Sequence, residues 1–167
     1  MSALGRLRLV TVLGAVVLSG GCGPDRASPT GLSASLVKPT GLLPCSPLPS
    51  TSVKQTIGLL GGRMQIGPHV FVVPAGALLA PVTISAKTAG GTGNAVAFKP
   101  EGLTFSIPAY LTLSYANCST DGALAAKQVA YTTDWLGIIS LVPSLDDLFR
   151  QQVTGQVSHF SNYAIAW

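Results

Sequence analysis

From residue 53 onward, short apolar stretches alternate with polar positions, and glycine or proline separates most stretches from the next. In residues 82–86 the apolar positions are Val82, Ile84 and Ala86, a period of two that is typical of a strand with one buried face. Gly61-Gly62 predicts a turn, and Gly67-Pro68 predicts the turn of a hairpin. Strands are predicted in this way over residues 53–60, 63–66, 69–73, 82–86, 95–99, 111–115, 127–132, 136–142 and 153–167.

Helical periodicity is almost absent from the chain. The exception is Ser144-Leu-Asp-Asp147, which resembles a helix capping box and predicts a single helical turn through Phe149. Many short strands with frequent turn residues predict an all-β fold, as an antiparallel β-sandwich or a partly open barrel. We adopt the sandwich as the prediction.

The beginning of the chain has the pattern of an export signal. Arg6 and Arg8 precede an apolar run over residues 9–18, which is too short to span a bilayer as a helix. Small residues and Cys22 follow, and the segment resembles a bacterial lipoprotein signal, although Ser19 stands where leucine is usual. The resemblance implies cleavage before Cys22 and acylation of its thiol and of the new amino terminus. The alternative is simple secretion with cleavage nearby.

Composition divides the chain into three parts. Residues 1–21 are the predicted signal, residues 22–52 a tether rich in Pro and Ser that begins with the lipidated Cys22, and residues 53–167 the folded domain. The tether is expected to be disordered, although residues 42–45 have the apolar character to pack on the domain. The expected location is the cell envelope, with the domain outside the cytoplasm and the membrane contacted through the lipid on Cys22.

Charge and residue types exclude several functions. Arg6 and Arg8 lie in the signal, so the mature chain has eight Lys and Arg residues and six Asp and Glu residues. The basic residues form no cluster of the kind that binds the phosphate backbone of nucleic acid. The two histidines and three cysteines lack zinc-ligand spacing, and there is no phosphate-binding loop or Gly-x-Ser-x-Gly elbow. We therefore expect no metal, no cofactor and no metabolic enzyme activity.

Cys45 and Cys118 remain as a pair once Cys22 is assigned to the anchor. In an oxidising compartment, an even number of cysteines favours a disulfide between them, and the alternative is two free thiols. Because the bridge would close a long loop, it is expected to stabilise the fold by about 4 kcal/mol.

Three stretches in order carry a family resemblance: VFVVPAGAL at 70–78, KPEGLTFSIPAYLTLSY at 99–115 and HFSNYAIAW at 159–167. Together they resemble the ZU-five β-sandwich module, and most closely the ZU-five-like domains of exported bacterial lipoproteins. The resemblance covers residues 53–167. It implies an interaction module whose partner is another protein or a component of the cell envelope.

In some relatives of that family, the tripeptide His-Phe-Ser is a self-cleavage site, and in this chain it stands at His159-Phe160-Ser161. The resemblance implies that the Ser161 hydroxyl attacks the Phe160 carbonyl, while His159 accepts the proton and water hydrolyses the resulting ester. The alternative is that the tripeptide belongs to an ordinary last strand. If no bulge intervenes, one face of that strand carries Val157, His159, Ser161, Tyr163, Ile165 and Trp167.

The sequence therefore supports three hypotheses. The first is a lipid-anchored binding or structural protein, and the second is a protein that cleaves its own Phe160-Ser161 bond. The third is a sugar-binding sandwich in which Trp135, Tyr131 and Tyr110 stack on sugar rings.

Overall fold

The computed structural model describes residues 41–121 and 125–167, and within these ranges it consists of eleven strands without a helix. The strands are β1 (Ser52–Ile57), β2 (Gly62–Ile66), β3 (His69–Val73), β4 (Val82–Thr88), β5 (Ala95–Lys99), β6 (Thr104–Ser114), β7 (Gln128–Thr132), β8 (Ile138–Leu141), β9 (Ser144–Asp147), β10 (Gln152–His159) and β11 (Asn162–Ala166). Paired strands are antiparallel throughout, in a six-stranded sheet of order β1-β4-β5-β11-β7-β8 and a five-stranded sheet of order β2-β3-β6-β10-β9. The predicted antiparallel β-sandwich is confirmed.

The core lies between the two sheets and follows the period of two. In β3, Phe71 and Val73 are buried while Val72 between them is partly exposed, and in β10, Val153 and Val157 are buried at alternating positions in the same way. Burying one such side chain contributes about 1.5–3 kcal/mol, so the inward positions of the strands carry most of the stability.

Gly155 in β10 lies at a close approach between the two sheets. A Cβ atom built at this position would lie 2.6 Å from Val129 Cβ and 2.8 Å from Val142 Cγ2. Carbon atoms do not pack at these distances, so the position requires glycine for the sheets to make contact.

The described chain begins at one end of the sandwich, which we call the near end. There the Trp167 amide donates to the Gly41 carbonyl at 3.2 Å, and Leu42 pairs with Ala166. Leu43 is buried in the core. Residues 41–43 thus continue the six-stranded sheet beside β11, beyond the end of β5, so the last part of the predicted tether packs on the domain.

The opposite end, or far end, holds the turn between β1 and β2. The strand predicted at 53–60 ends at Ile57, and the turn lies at Leu59 and Leu60 rather than at Gly61-Gly62. Gly61 closes this turn, because its φ of 70° suits glycine and its α carbon lies against the Val73 carbonyl.

The helical turn predicted after Ser144 is wrong. Ser144–Asp147 is strand β9, paired with β10 through Asp147↔Gln152 and Gly155↔Ser144. In a capping box Asp147 would reach back towards Ser144, but here Asp147 Oδ1 accepts the Arg150 amide at 3.0 Å. The acidic side chain therefore stabilises the turn that follows the strand instead of opening a helix.

The single closing strand predicted over residues 153–167 is also wrong. A register shift interrupts β10 between Val157 and His159, and β11 then begins at Asn162 in the other sheet. His159 and Ser161 therefore do not share a strand face. Of the remaining predicted strands, those at 69–73 and 95–99 have the observed bounds, and the others overlap observed strands with changed boundaries.

Candidate functional site

The His159-Phe160-Ser161 segment is the crossover between the two sheets at the far end. The Phe160 amide donates to the Leu103 carbonyl at 2.7 Å, and the Gly102 amide donates to the Phe160 carbonyl at 3.1 Å. The Ser161 carbonyl accepts the Phe98 amide at 3.1 Å. Backbone hydrogen bonds therefore fix Phe160 and Ser161 against β5 and the loop that follows it.

The Phe160 side chain belongs to the core. Its ring stacks on Phe98 with a centroid distance of 4.9 Å, meets Phe105 edge-on at 5.1 Å and lies 5.6 Å from Phe71. Aromatic pairs of this kind add about 0.5–1.5 kcal/mol each beyond the burial of their surface. The packing of the two sheets accounts for the phenylalanine of the tripeptide.

The contacts of the His159 ring are with residues other than the serine that it would have to activate. Its Nδ1 lies 3.4 Å from Ser158 Oγ, and its ring meets Tyr131 edge-on at 4.9 Å. Within the described residues, no hydrogen bond joins the imidazole to the Ser161 hydroxyl. Of the groups that cleavage needs, the structure brings together Ser161 and one donor to the Phe160 carbonyl, from Gly102.

A cleft of about 450 Å³ opens at the near end, with Tyr115, Lys127 and Asp146 on its polar wall and Leu148 among its apolar residues. Asp146 organises this wall. Its Oδ1 accepts the Tyr115 hydroxyl at 2.7 Å, and its Oδ2 accepts the Lys127 amide at 2.8 Å. Lys127 Nζ donates to the Ala125 carbonyl at 3.1 Å and lies 5.9 Å from the centroid of the Tyr115 ring.

The electrostatics of the cleft keep Tyr115 protonated. Burial raises the pKa of its phenol well above the ordinary value of 10, and the hydrogen bond and charge of Asp146 and the charge of Asp147 raise it further. Tyr115 is therefore a hydrogen-bond donor and not a base or nucleophile. The cluster joins β6 to β9 and to the start of β7, and it can offer a ligand a polar wall.

Sequence reasoning missed this cluster. Tyr115, Lys127 and Asp146 are far apart along the chain, and no spacing connects them. The available signal was the adjacent pair Asp146-Asp147, which the capping-box interpretation assigned to a helix.

The predicted disulfide between Cys45 and Cys118 is present, and it closes a loop with a sequence separation of 73. Asn94 supports the bridge from the near end of β5, because its Nδ2 donates to the Ser114 carbonyl and to Asn117 Oδ1, each at 2.7 Å. The predicted lipidation site, Cys22, and the predicted signal lie outside the described residues.

The three aromatic residues of the sugar-binding hypothesis do not form one surface. Tyr110 lies in β6 of the five-stranded sheet, whereas Tyr131 lies in β7 of the six-stranded sheet. Tyr131 packs against His159 and Tyr163, and Trp135 is exposed in the loop after β7. A stacking platform would need these rings on the same face.

His69 was predicted only as a strand residue, but the structure buries its imidazole completely. Its Nδ1 accepts the Ser114 amide at 3.1 Å, and its Nε2 has no hydrogen-bond partner among the described residues. Burial lowers the pKa of His69 to about 4, because the charged form loses its hydration. His69 is therefore neutral and structural at ordinary pH.

Exposed apolar side chains occur at both ends of the sandwich. At the far end the turn of Leu59 and Leu60 adjoins the loop that carries Leu79, because the Gly76 amide donates to the Leu59 carbonyl at 2.8 Å. We call Leu59, Leu60 and Leu79 the far-end patch. At the near end, Leu148 and Phe149 are exposed in the turn after β9, which we call the near-end tip.

Comparisons with known proteins leave the family open. No protein-family model matches the chain, and no curated protein matches it significantly. The ZU-five resemblance therefore stays a prediction that depends on its three motifs. Within residues 41–121 and 125–167, no helix is long and apolar enough to cross a membrane, and no three His, Cys, Asp or Glu residues form a group that could hold a metal ion.

Proposed function

We propose that this protein is a lipid-anchored, extracytoplasmic module of the ZU-five type that acts by binding another protein or a component of the cell envelope. The observation that carries the proposal is the disulfide between Cys45 and Cys118. Structural disulfides persist in oxidising compartments and are rare in the cytosol. The bridge therefore agrees with the export signal expected before Cys22.

Lipid on Cys22 gives the module its location. Two or more acyl chains anchor a protein stably, whereas one chain gives only marginal binding. Residues 23–40 then connect the anchor to the sandwich, which begins its packing at Leu42 and Leu43.

The far-end patch supports a binding role. Leu60 is 90% exposed, and Leu59 on the same turn and Leu79 on the adjoining loop are also largely exposed. Exposed apolar groups that cluster at a surface indicate an interaction site, because they gain free energy when a partner removes them from water. The patch lies at the end of the sandwich opposite to the start of the described chain, so an anchored domain can present it away from the membrane.

The anchor is tested by metabolic labelling with palmitate. We expect label on the wild type and none on Cys22→Ala. Ser19→Leu, which restores leucine three residues before the cysteine, is the matched positive control and should carry at least as much label. A wild type without label, beside a labelled Ser19→Leu, would show that the natural signal is not a lipidation signal.

The binding role is tested by photocrosslinking in intact cells. A photoreactive residue at Leu60 should give a defined adduct, and the same residue at Lys54, which is exposed in the middle of β1, should give none. Leu79→Asp should abolish the Leu60 adduct. Equal adducts at both positions, or an adduct that survives Leu79→Asp, would contradict the assignment of the patch.

Self-cleavage between Phe160 and Ser161 is the second candidate, favoured by one observation. The Gly102 amide donates to the carbonyl oxygen on which negative charge would develop. Intact mass of the mature protein under denaturing conditions, beside Ser161→Ala, tests it. Release of residues 161–167 by the wild type alone would establish cleavage, and a single full-length mass would rule it out.

A further inference from the structure

The near-end tip presents two large apolar side chains to solvent on a firmly held turn. Phe149 is 102% exposed and Leu148 is 66% exposed. The turn is fixed on both sides, because the Arg150 amide donates to Asp147 Oδ1 at 3.0 Å and the Tyr115 amide donates to the Gln151 carbonyl at 2.8 Å. These two bonds hold the backbone of the tip in place on the domain, and the Phe149 ring extends from it into solvent.

The tip lies at the end of the sandwich where the described chain begins. β9 leads into the tip, and its Asp146 binds the amide of Lys127, directly before β7. The first residue of β7, Gln128, pairs with Ala166 of β11, which also pairs with Leu42. The path from the anchor therefore reaches the domain at the same end as the exposed Leu148 and Phe149.

We propose that the near-end tip inserts into the bilayer that holds the anchor, so that the domain rests on the membrane through Leu148 and Phe149. This inference rests on the proposed function, since it requires lipid on Cys22. Even fully extended, the residues from Cys22 to Gly41 reach only about 65 Å, which keeps the tip at a high effective concentration near the surface. The inserted state, which would be weakly populated for a protein without an anchor, then becomes well populated.

The charges beside the tip favour membrane binding through apolar contact rather than through attraction to charged headgroups. Arg150 pairs with Asp147 at 3.5 Å, so the two charged residues that flank the tip offset each other. Insertion should therefore depend little on salt and little on the charge of the lipid headgroups. This expectation distinguishes the tip from a basic patch that binds anionic lipids.

The test uses the full mature lipoprotein in phosphatidylcholine vesicles, with and without bromine on the acyl chains. Phe149→Trp adds a reporter at the tip, and Leu60→Trp adds the control at the far end. The emission of Trp135 and Trp167 in the wild type is subtracted. We expect the added emission of Phe149→Trp to shift to shorter wavelength and to lose most of its intensity in brominated vesicles, and that of Leu60→Trp to remain unquenched.

Flotation of the same samples reports the anchor separately. Protein that fails to float with the vesicles contradicts the lipid on Cys22, whereas protein that floats with an unquenched reporter at position 149 overturns the tip insertion alone. A reporter that is unquenched in vesicles but blue-shifted in native membranes would also overturn it and would indicate a protein partner. Quenching that disappears at high salt would contradict the apolar mechanism.

Discussion

Stability against acid depends on the buried imidazole of His69. The ring accepts one hydrogen bond from the Ser114 amide and is otherwise surrounded by the core, so a second proton would place an unpaired charge there. Replacing His69 by Asn keeps an acceptor at the position of Nδ1 and removes the titrating group. The comparison of the two proteins as a function of pH isolates the contribution of this one side chain.

The magnitude follows from the difference in pKa between the two states. The unfolded chain binds the proton near pH 6.5, whereas the folded protein binds it near pH 4. Between these values the unfolded state holds more protons, so the free energy of unfolding falls as the pH falls, and above pH 6.5 this group has no effect. The loss should be about 2 kcal/mol at pH 5 and about 3 kcal/mol at pH 4.

The assay is equilibrium urea unfolding between pH 4 and pH 8 with the disulfide intact. We expect the wild type to lose the stated free energy relative to His69→Asn on acidification. The control is His159→Gln, which removes the other of the two histidines and leaves His69 in place. Parallel pH profiles for the wild type and His69→Asn would refute the argument that burial holds the imidazole neutral.

Three further predictions concern the core, the sheet contact and the disulfide, and urea unfolding measures each. Phe160→Ala should lower the free energy of unfolding by about 3–5 kcal/mol, and a loss below about 1 kcal/mol would show that its aromatic contacts are not part of the core. Gly155→Ala should cost about 1–3 kcal/mol, while Gly90→Ala, where no other atom lies within 4 Å of the added carbon, should change little; equal effects would contradict the close approach of the sheets. Removing Cys45 and Cys118 together by alanine should cost about 4 kcal/mol, and an unchanged midpoint would mean that the bridge does not form.

Period-two alternation predicted several strands well because it reflects which face of a sheet is buried. The strand at 69–73 has the observed bounds of β3, since a Gly67-Pro68 turn precedes it and Pro74 follows. The disulfide was predictable for a different reason. The number of cysteines and the expected compartment left Cys45 and Cys118 as partners, without any knowledge of the fold.

The errors arose where distant residues decide the local structure. Ser144–Asp147 fits a capping box, but the Tyr115 hydroxyl and the Lys127 amide bind Asp146 and favour a strand. The crossover at Phe160 was equally hidden, because an apolar residue in an apolar run gives no sign that the chain changes sheet. The polar wall of the cleft is assembled by the same long-range contacts, so no short sequence motif predicts it.

The position of β11 has a consequence for the order in which the molecule can assemble. Asn162–Ala166 lies in the interior of its sheet, between β5 and β7, although it follows every other strand along the chain. A nascent polypeptide that has not yet received these residues has two sheet fragments with a gap between them. Synthesis must therefore pass Ala166 before the sheet can close, and premature termination before Asn162 removes the seam that joins its two halves.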